Sequence, residues 1–177
     1  MDLVQQQRKK AMPKLIAFDQ ALNTSGYSVF VNGKLSDHGK FTTIDSSTGD
    51  KLVDFKDFID RMFEAENPDK VVFEGIQLQQ IPGSSAHGNV DTFRKLAYVQ
   101  SILIESLTRK GIPYEIVSAS TWKSTCGVRG RNRGEQKRSA QEFVQMEFGV
   151  QAIQDVIDAI CIGTHIIKED DKEINWE

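Results

Sequence analysis

Four acidic residues stand where the most apolar stretches of the chain end. Asp19 closes Leu15-Ile16-Ala17-Phe18, Glu74 closes Val71-Val72-Phe73, and Asp155 and Asp158 lie three apart on one face of the last apolar helical stretch. A carboxylate at the edge of buried structure is costly to ionise unless positive charge holds it there. No Lys or Arg lies within four residues of Asp19, Asp155 or Asp158, so the sequence points to a cation from outside the chain. Four hard carboxylate donors with no Cys/His cluster beside them suit Mg²⁺ or Mn²⁺ rather than zinc. Two such ions about 3.5–4 Å apart hydrolyse phosphodiesters, one activating the attacking water and the other stabilising the leaving oxygen.

Each acid alone has a plainer explanation. A strand-terminal Asp caps a turn, a Glu before Gly ends a strand in solvent, and an i,i+3 Asp pair forms the wet side of an amphipathic helix. Taken together they resist it, because all four fall where a merely solvating charge is least expected.

The 177 residues fit one domain, long enough to bury about two-thirds of its unfolded surface. Residues 1–12 read as a flexible basic arm, 13–168 as the folded domain and 169–177 as an acidic tail. The start lacks the apolar stretch of a secretory signal, and no run is long enough to span a membrane, so a cytoplasmic protein with no membrane partner is expected. Cys126 and Cys161 share no metal-ligand spacing and read as free thiols of a reducing compartment. The net charge is −3, but it is unevenly spread. Between Ser118 and Arg138, Lys123, Arg129, Arg131, Arg133, Lys137 and Arg138 stand against Glu135 alone, a local +5 that leaves −8 for the rest of the chain. Alternating Arg and Gly exposes each guanidinium to phosphate at little steric cost.

The elements that must position these residues follow from periodicity. Strands are expected at 14–20, 25–31 and 34–43, the last two joined by the hairpin signal Asn32-Gly33. A helix follows at 50–66, ended by Asn67-Pro68, then a buried strand at 69–74 and a loop at 77–89 that includes Gln77 and Pro82-Gly83-Ser84-Ser85. Helix 90–110 carries two apolar stripes, Phe93, Leu96, Ala97, Ile104 and Leu107 on one side and Val99, Ile102 and Leu103 on another. One stripe serves the core and the other suits either the same core or a second subunit. Strand 112–117 and helices 135–148 and 152–167 complete the chain. This order predicts an α/β ribonuclease H-like fold: a mixed five-stranded sheet, a three-strand meander plus two parallel strands, flanked by helices. Strands one and four would be neighbours, placing Asp19 beside Glu74.

These pieces resemble the RuvC-type Holliday-junction resolvases, in particular the small divergent versions carried by bacteriophages. The matching residues are Asp19 with Thr24-Ser25-Gly26-Tyr27 after it, Val72-Phe73-Glu74, and Asp155-x-x-Asp158-Ala159 leading to Thr164-His165. A glutamate that ends a strand favours this family over ribonuclease H proper. The resemblance implies that the four acids are catalytic and bind two Mg²⁺, with Mn²⁺ as substitute, and that Lys123 and Lys137 bind the junction. Arg129, Arg131, Arg133, Arg138 and Gln77 are further expected DNA contacts. It also implies branched DNA as the partner, four-way junctions first and three-way ones by extension, a homodimer matched to the junction's symmetry, and, for a phage-borne chain, the cytoplasm of a bacterial host. The chain departs from the family at Gln20-Ala21, where Pro-Gly is usual, and at Gln77, where an aromatic is usual. Recognition by branch shape more than by base sequence is the expected consequence. Trp122 reads as a packing anchor, and His165, two helical turns and about 10 Å past Asp158, as structural rather than a ligand.

Three other readings compete with this one. Sugar kinases and actin-like ATPases share the fold but need two lobes and further Gly-rich phosphate turns, which this chain lacks. A non-catalytic branched-DNA-binding module would not need all four acids. A nuclease for other branched or RNA-containing substrates stays the runner-up.

Overall fold

The computed structural model describes residues 14–77 and 86–174. The basic arm, the Pro82-Gly83-Ser84-Ser85 segment and the last residues of the acidic tail lie outside them. The elements are β1 (Leu15–Asp19), β2 (Thr24–Val31), β3 (Lys34–Thr42), α1 (Thr48–Glu66), β4 (Lys70–Glu74), α2 (Ala86–Lys110), β5 (Tyr114–Val117), α3 (Ala119–Thr125), α4 (Arg133–Phe148) and α5 (Gln154–Ile174). They form one mixed sheet in the order β3-β2-β1-β4-β5, with β1 antiparallel to β2, β2 to β3, and β1, β4 and β5 parallel. The expected ribonuclease H-like architecture is therefore present. Asn32 and Gly33 both take positive φ, as a two-residue hairpin between β2 and β3 requires.

Strand β1 shows why the centre of the sheet is buried on both faces. Leu15 and Ala17 pack towards α3, α4 and α5, while Ile16 and Phe18 pack towards α1 and α2. Helix α1 offers Phe55, Ile59 and Phe63 to the second layer, and α2 offers Val99, Leu103 and Leu107. The core stripe of α2 thus combines residues of both expected stripes. Phe93, Leu96 and Ala97 are only partly buried, and Val90 and Tyr98 are exposed.

Helix α5 is buried almost all round from Val156 to Ile166, and small residues let it approach the sheet. A Cβ on Gly26 would overlap the Asp155 carbonyl and come within 2.6 Å of the Val156 nitrogen; one on Gly163 would overlap the Phe30 ring and stand 3.2 Å from Ala17. The Ser28 hydroxyl donates to the Ala159 carbonyl at 2.8 Å, pinning the helix across β2.

Several boundaries differ from expectation. Helix α2 begins at Ala86, so 86–89 is helix and not loop. Helix α3 was not expected at all: Ser118 caps it by accepting from the Thr121 amide, turning part of the expected basic loop into helix. Helix α4 starts two residues early because Asn132 caps it, accepting from the Glu135 amide at 2.9 Å while Glu135 accepts from the Arg131 amide at 2.7 Å. Strand β5 starts only at Tyr114, because the amide of Ile112 still bonds the Leu107 carbonyl at the end of α2. Helix α5 runs to Ile174, so the acidic segment from 169 begins as helix. No helix among the described residues is long and apolar enough to cross a membrane.

Candidate active site

The two-residue period of a strand decides which way the first two acids point. Leu15 and Ala17 face the α5 layer, so Asp19 does too; Val72 faces it from β4, so Glu74 follows. Because Ala17 pairs with Val72 and Phe18 with Phe73, the next residues, Asp19 and Glu74, end adjacent parallel strands side by side. Asp155 and Asp158 lie in the first turns of α5, held over the same strand ends by the close approach at Gly26. All four acids line one cleft of about 630 Å³.

Crowding and burial shift every one of these carboxyls upward. Asp19 is pushed well above the usual carboxylate range, first by burial and then by the charges of Asp158, Glu74 and Asp155, with Arg133 opposing. Asp158 is pushed up to about 6, mainly by burial, against a hydrogen bond from Gln154. Burial also raises Glu74, against the Trp122 hydrogen bond and Lys123, and it raises Asp155 against Lys137 and Lys40. The absence of Lys and Arg near Asp19, Asp155 and Asp158 along the chain does not carry over to three dimensions. Folding brings Arg133, Lys123, Lys137 and Lys40 into electrostatic reach, yet they only lessen the upward shifts.

These residues fit a divalent cation by donor chemistry. Carboxylates that share a polar cleft and resist ionisation together are what a hard dication relieves. Among the described residues, no group of three or more His, Cys, Asp or Glu is arranged to hold an ion as it stands. Two of the acids are engaged elsewhere: Glu74 Oε2 accepts from the Trp122 indole at 2.6 Å, and Asp158 Oδ1 accepts from Gln154 Nε2 at 2.6 Å.

No protein-family model and no curated protein matches the sequence. Solved structures do. Thermus thermophilus RuvC in complex with a Holliday junction substrate matches with a TM-score of 0.70 at 12% identity, covering 89% of this chain and 95% of that one. A further Thermus thermophilus RuvC structure gives 0.68 at 14%, covering 90% and 96%. The yeast mitochondrial Holliday junction resolvase Ydc2 gives 0.54 at 11%, covering 92% and 82%. The chain has the RuvC fold.

Within this RuvC fold, Lys123, Arg131, Arg133, Lys137 and Gln77 line the acidic cleft, whereas Arg129 and Arg138 are exposed outside its lining. Among the described residues, none of the six basic side chains between Ser118 and Arg138 forms an ion pair with a carboxylate. His165 is buried and bonds Thr125 through Nδ1 at 2.7 Å, in keeping with a structural role. Both cysteines are free and buried, Cys126 Sγ donating to the Cys161 carbonyl.

Sequence reasoning missed three residues that hold the acids: Trp122, Gln154 and Gln20. Trp122 is the anchor expected, 1% exposed, but its indole also fixes Glu74. Its place four residues past Ser118 on a capped helix was the only available signal. Trp122→Phe keeps a ring in the core and removes the N–H, so the Mn²⁺ affinity of the cleft is expected to fall about 10–100-fold, as when a partner orienting a ligating group is lost. Wild-type Mn²⁺ affinity in a calorimetric titration of folded Trp122→Phe would reduce Trp122 to packing.

Proposed function

We propose that this chain is a metal-dependent, structure-selective DNA endonuclease that resolves four-way junctions by symmetric nicking. The observation that carries this reading is the convergence of Asp19, Glu74, Asp155 and Asp158 on one cleft with basic residues on its rim. The RuvC fold, and the presence of a Holliday junction substrate on one protein that shares it, support the choice of substrate.

Asp19 and Glu74, fixed at adjacent strand ends, and Asp155 and Asp158, on the helix above, would hold two Mg²⁺ or Mn²⁺ ions. When bound, these supply a low-pKa water and charge stabilisation of the leaving 3′ oxygen. Lys123, Arg131, Arg133 and Lys137 grip the phosphates flanking the scissile bond and draw the backbone to the acids. Trp122 and Gln154 keep two carboxylates oriented. A four-way junction has two equivalent strands to cut, so a two-fold homodimer with one cleft per subunit matches its symmetry. The α2 face with exposed Val90 and Tyr98 supplies apolar surface for the second copy.

The reading is tested by cleaving four-way, three-way and linear DNA side by side with Mg²⁺ and with Mn²⁺. Four-way junctions should be cut fastest and linear duplex least. Preference for a hybrid or RNA-containing substrate would transfer the site to the runner-up class.

The exposed arginines give a second expected outcome. Substituting Arg129, Arg131 and Arg133 together by Ala should weaken DNA binding uniformly across sequences and reduce the slope of log affinity against log salt by roughly 2–3, if each neutralises one phosphate. An unchanged slope in a salt titration would return the loop to solvated surface.

A further inference from the structure

Lys40 stands in the same row of the sheet as Asp19. Asp19 pairs with Gly26 between β1 and β2, and Gly26 pairs with Lys40 between β2 and β3. Residues directly opposite in antiparallel pairs point to one face, so Lys40 shares with Asp19 the face that α5 crosses. Two interstrand gaps set their Cα atoms about 10 Å apart. Gly26 between them has no side chain, and the first turn of α5 fills the space above it. Lys40 therefore flanks Asp155 from the edge strand, within electrostatic reach of it. Its side chain is exposed and, among the described residues, forms no ion pair with a carboxylate. Lys123 reaches Glu74 and Asp158 from α3, the helix that follows the opposite edge strand β5. In strand order the acids thus lie between two cations. Beside Lys40, two residues further towards the acid end of the same face, Thr24 and Thr42 pair, their exposed hydroxyls 3.2 Å apart. An edge-strand lysine can serve only to discourage pairing with another sheet. Lys34, exposed on the same strand, suits that role equally and lies about 20 Å away at the hairpin.

We propose that Lys40, with the hydroxyls of Thr24 and Thr42, holds a backbone phosphate of the cleaved DNA strand on the side of the acids opposite Lys123. This rests on reading the cleft as a DNA-cleaving site and gives it a second rim. A strand that crosses the acids carries its negative charge past four carboxylates, so cations are needed on both sides of them. The basic residues of α3 and α4 secure one side. An ammonium on a paired strand secures the other as a point charge, with neutral hydroxyl donors beside it. Its distance from the Asp19 row places the phosphate roughly one to three nucleotides from the scissile bond. The contact thereby sets which phosphate lies over Asp19 and Glu74.

The test is equilibrium binding of a four-way junction to the full chain across a salt series, with divalent metal chelated, for the wild type, Lys40→Ala, Lys40→Arg, Lys34→Ala and Arg131→Ala. Lys40→Ala should reduce the slope of log affinity against log salt by about 1, while Lys40→Arg and Lys34→Ala keep the wild-type slope. Junctions carrying one uncharged methylphosphonate at successive positions then locate the phosphate. One position within roughly three nucleotides of the cut should weaken wild-type binding and cost Lys40→Ala nothing. A wild-type slope in Lys40→Ala, beside an Arg131→Ala that lowers it, overturns the role of Lys40 and leaves the DNA-cleaving reading standing. An equal loss of slope in Lys34→Ala, or a loss in Lys40→Ala with no such position, also overturns it, since only net charge is then felt. A wild type that does not bind the junction overturns both.

Discussion

Asp19→Asn is expected to lower junction cleavage by a factor on the order of 10³ or more, since losing a ligand forfeits several kcal/mol of metal-supplied transition-state stabilisation. The same change should raise the melting temperature of the metal-free protein at neutral pH. Asp19 is buried and surrounded by Asp158, Glu74 and Asp155, so its charge destabilises the fold when no cation is present. The sign follows from the upward shifts. A carboxyl whose pKa is higher in the folded than in the unfolded state favours folding while protonated, an advantage fully present below the unfolded value and lost as pH rises through the folded one. For Asp158 that window runs from 3.8 to about 6. The metal-free wild type should therefore melt higher near about pH 5 than near about pH 8. Asp19→Asn should flatten that profile, and saturating Mg²⁺ should reverse it for the wild type. Thermal melts across pH, with and without metal, check all three. An Asp19→Asn variant that melts lower than wild type without metal would make Asp19 a structural residue.

Gly26→Ala should be the most damaging single methyl in the molecule outside the acids themselves. The added carbon overlaps the Asp155 carbonyl, a backbone atom that can move only if the first turn of α5 lifts off β2. Destabilisation at or above the upper end of the roughly 1–3 kcal/mol typical of overpacking is expected. That corresponds to a fall in melting temperature of roughly 6–12 °C for a chain this size. Cleavage should be lost in the protein that remains folded, because Asp155 and Asp158 ride on the displaced turn. Gly49→Ala serves as control, since a Cβ there meets nothing within 4 Å. Equal effects of the two substitutions would mean that the approach of α5 to β2 does not set the site.

The fold was legible because its signals are local and period-based. The two-faced apolar character of 15–18 and 71–73 predicted central strands, the Asn32-Gly33 turn predicted the hairpin, and strand order followed from connection rules. The acids were legible for the same reason, as each breaks an apolar pattern. The charges around them were not. Arg133, Lys123 and Lys137 reach the carboxylates only because two capped helices, α3 and α4, fold the basic stretch back over the cleft, and the Ser118 and Asn132 caps are weak signals in a stretch that reads as loop. Gln20 was legible only as a departure from Pro-Gly. Its burial and the bond its amide donates to the Glu74 carbonyl depend on the parallel pairing of β1 with β4, a contact between residues 54 apart.

The most direct test is a four-way junction with each strand labelled in turn, incubated with the protein in Mg²⁺ and resolved on a sequencing gel. Paired nicks are predicted at symmetric positions in two opposing strands, with ligatable 5′-phosphate ends, absent when the metal is chelated and absent with Asp158→Asn. A junction left intact in both Mg²⁺ and Mn²⁺, or cut no faster than linear duplex, would contradict the reading of this cleft as a junction-resolving nuclease site.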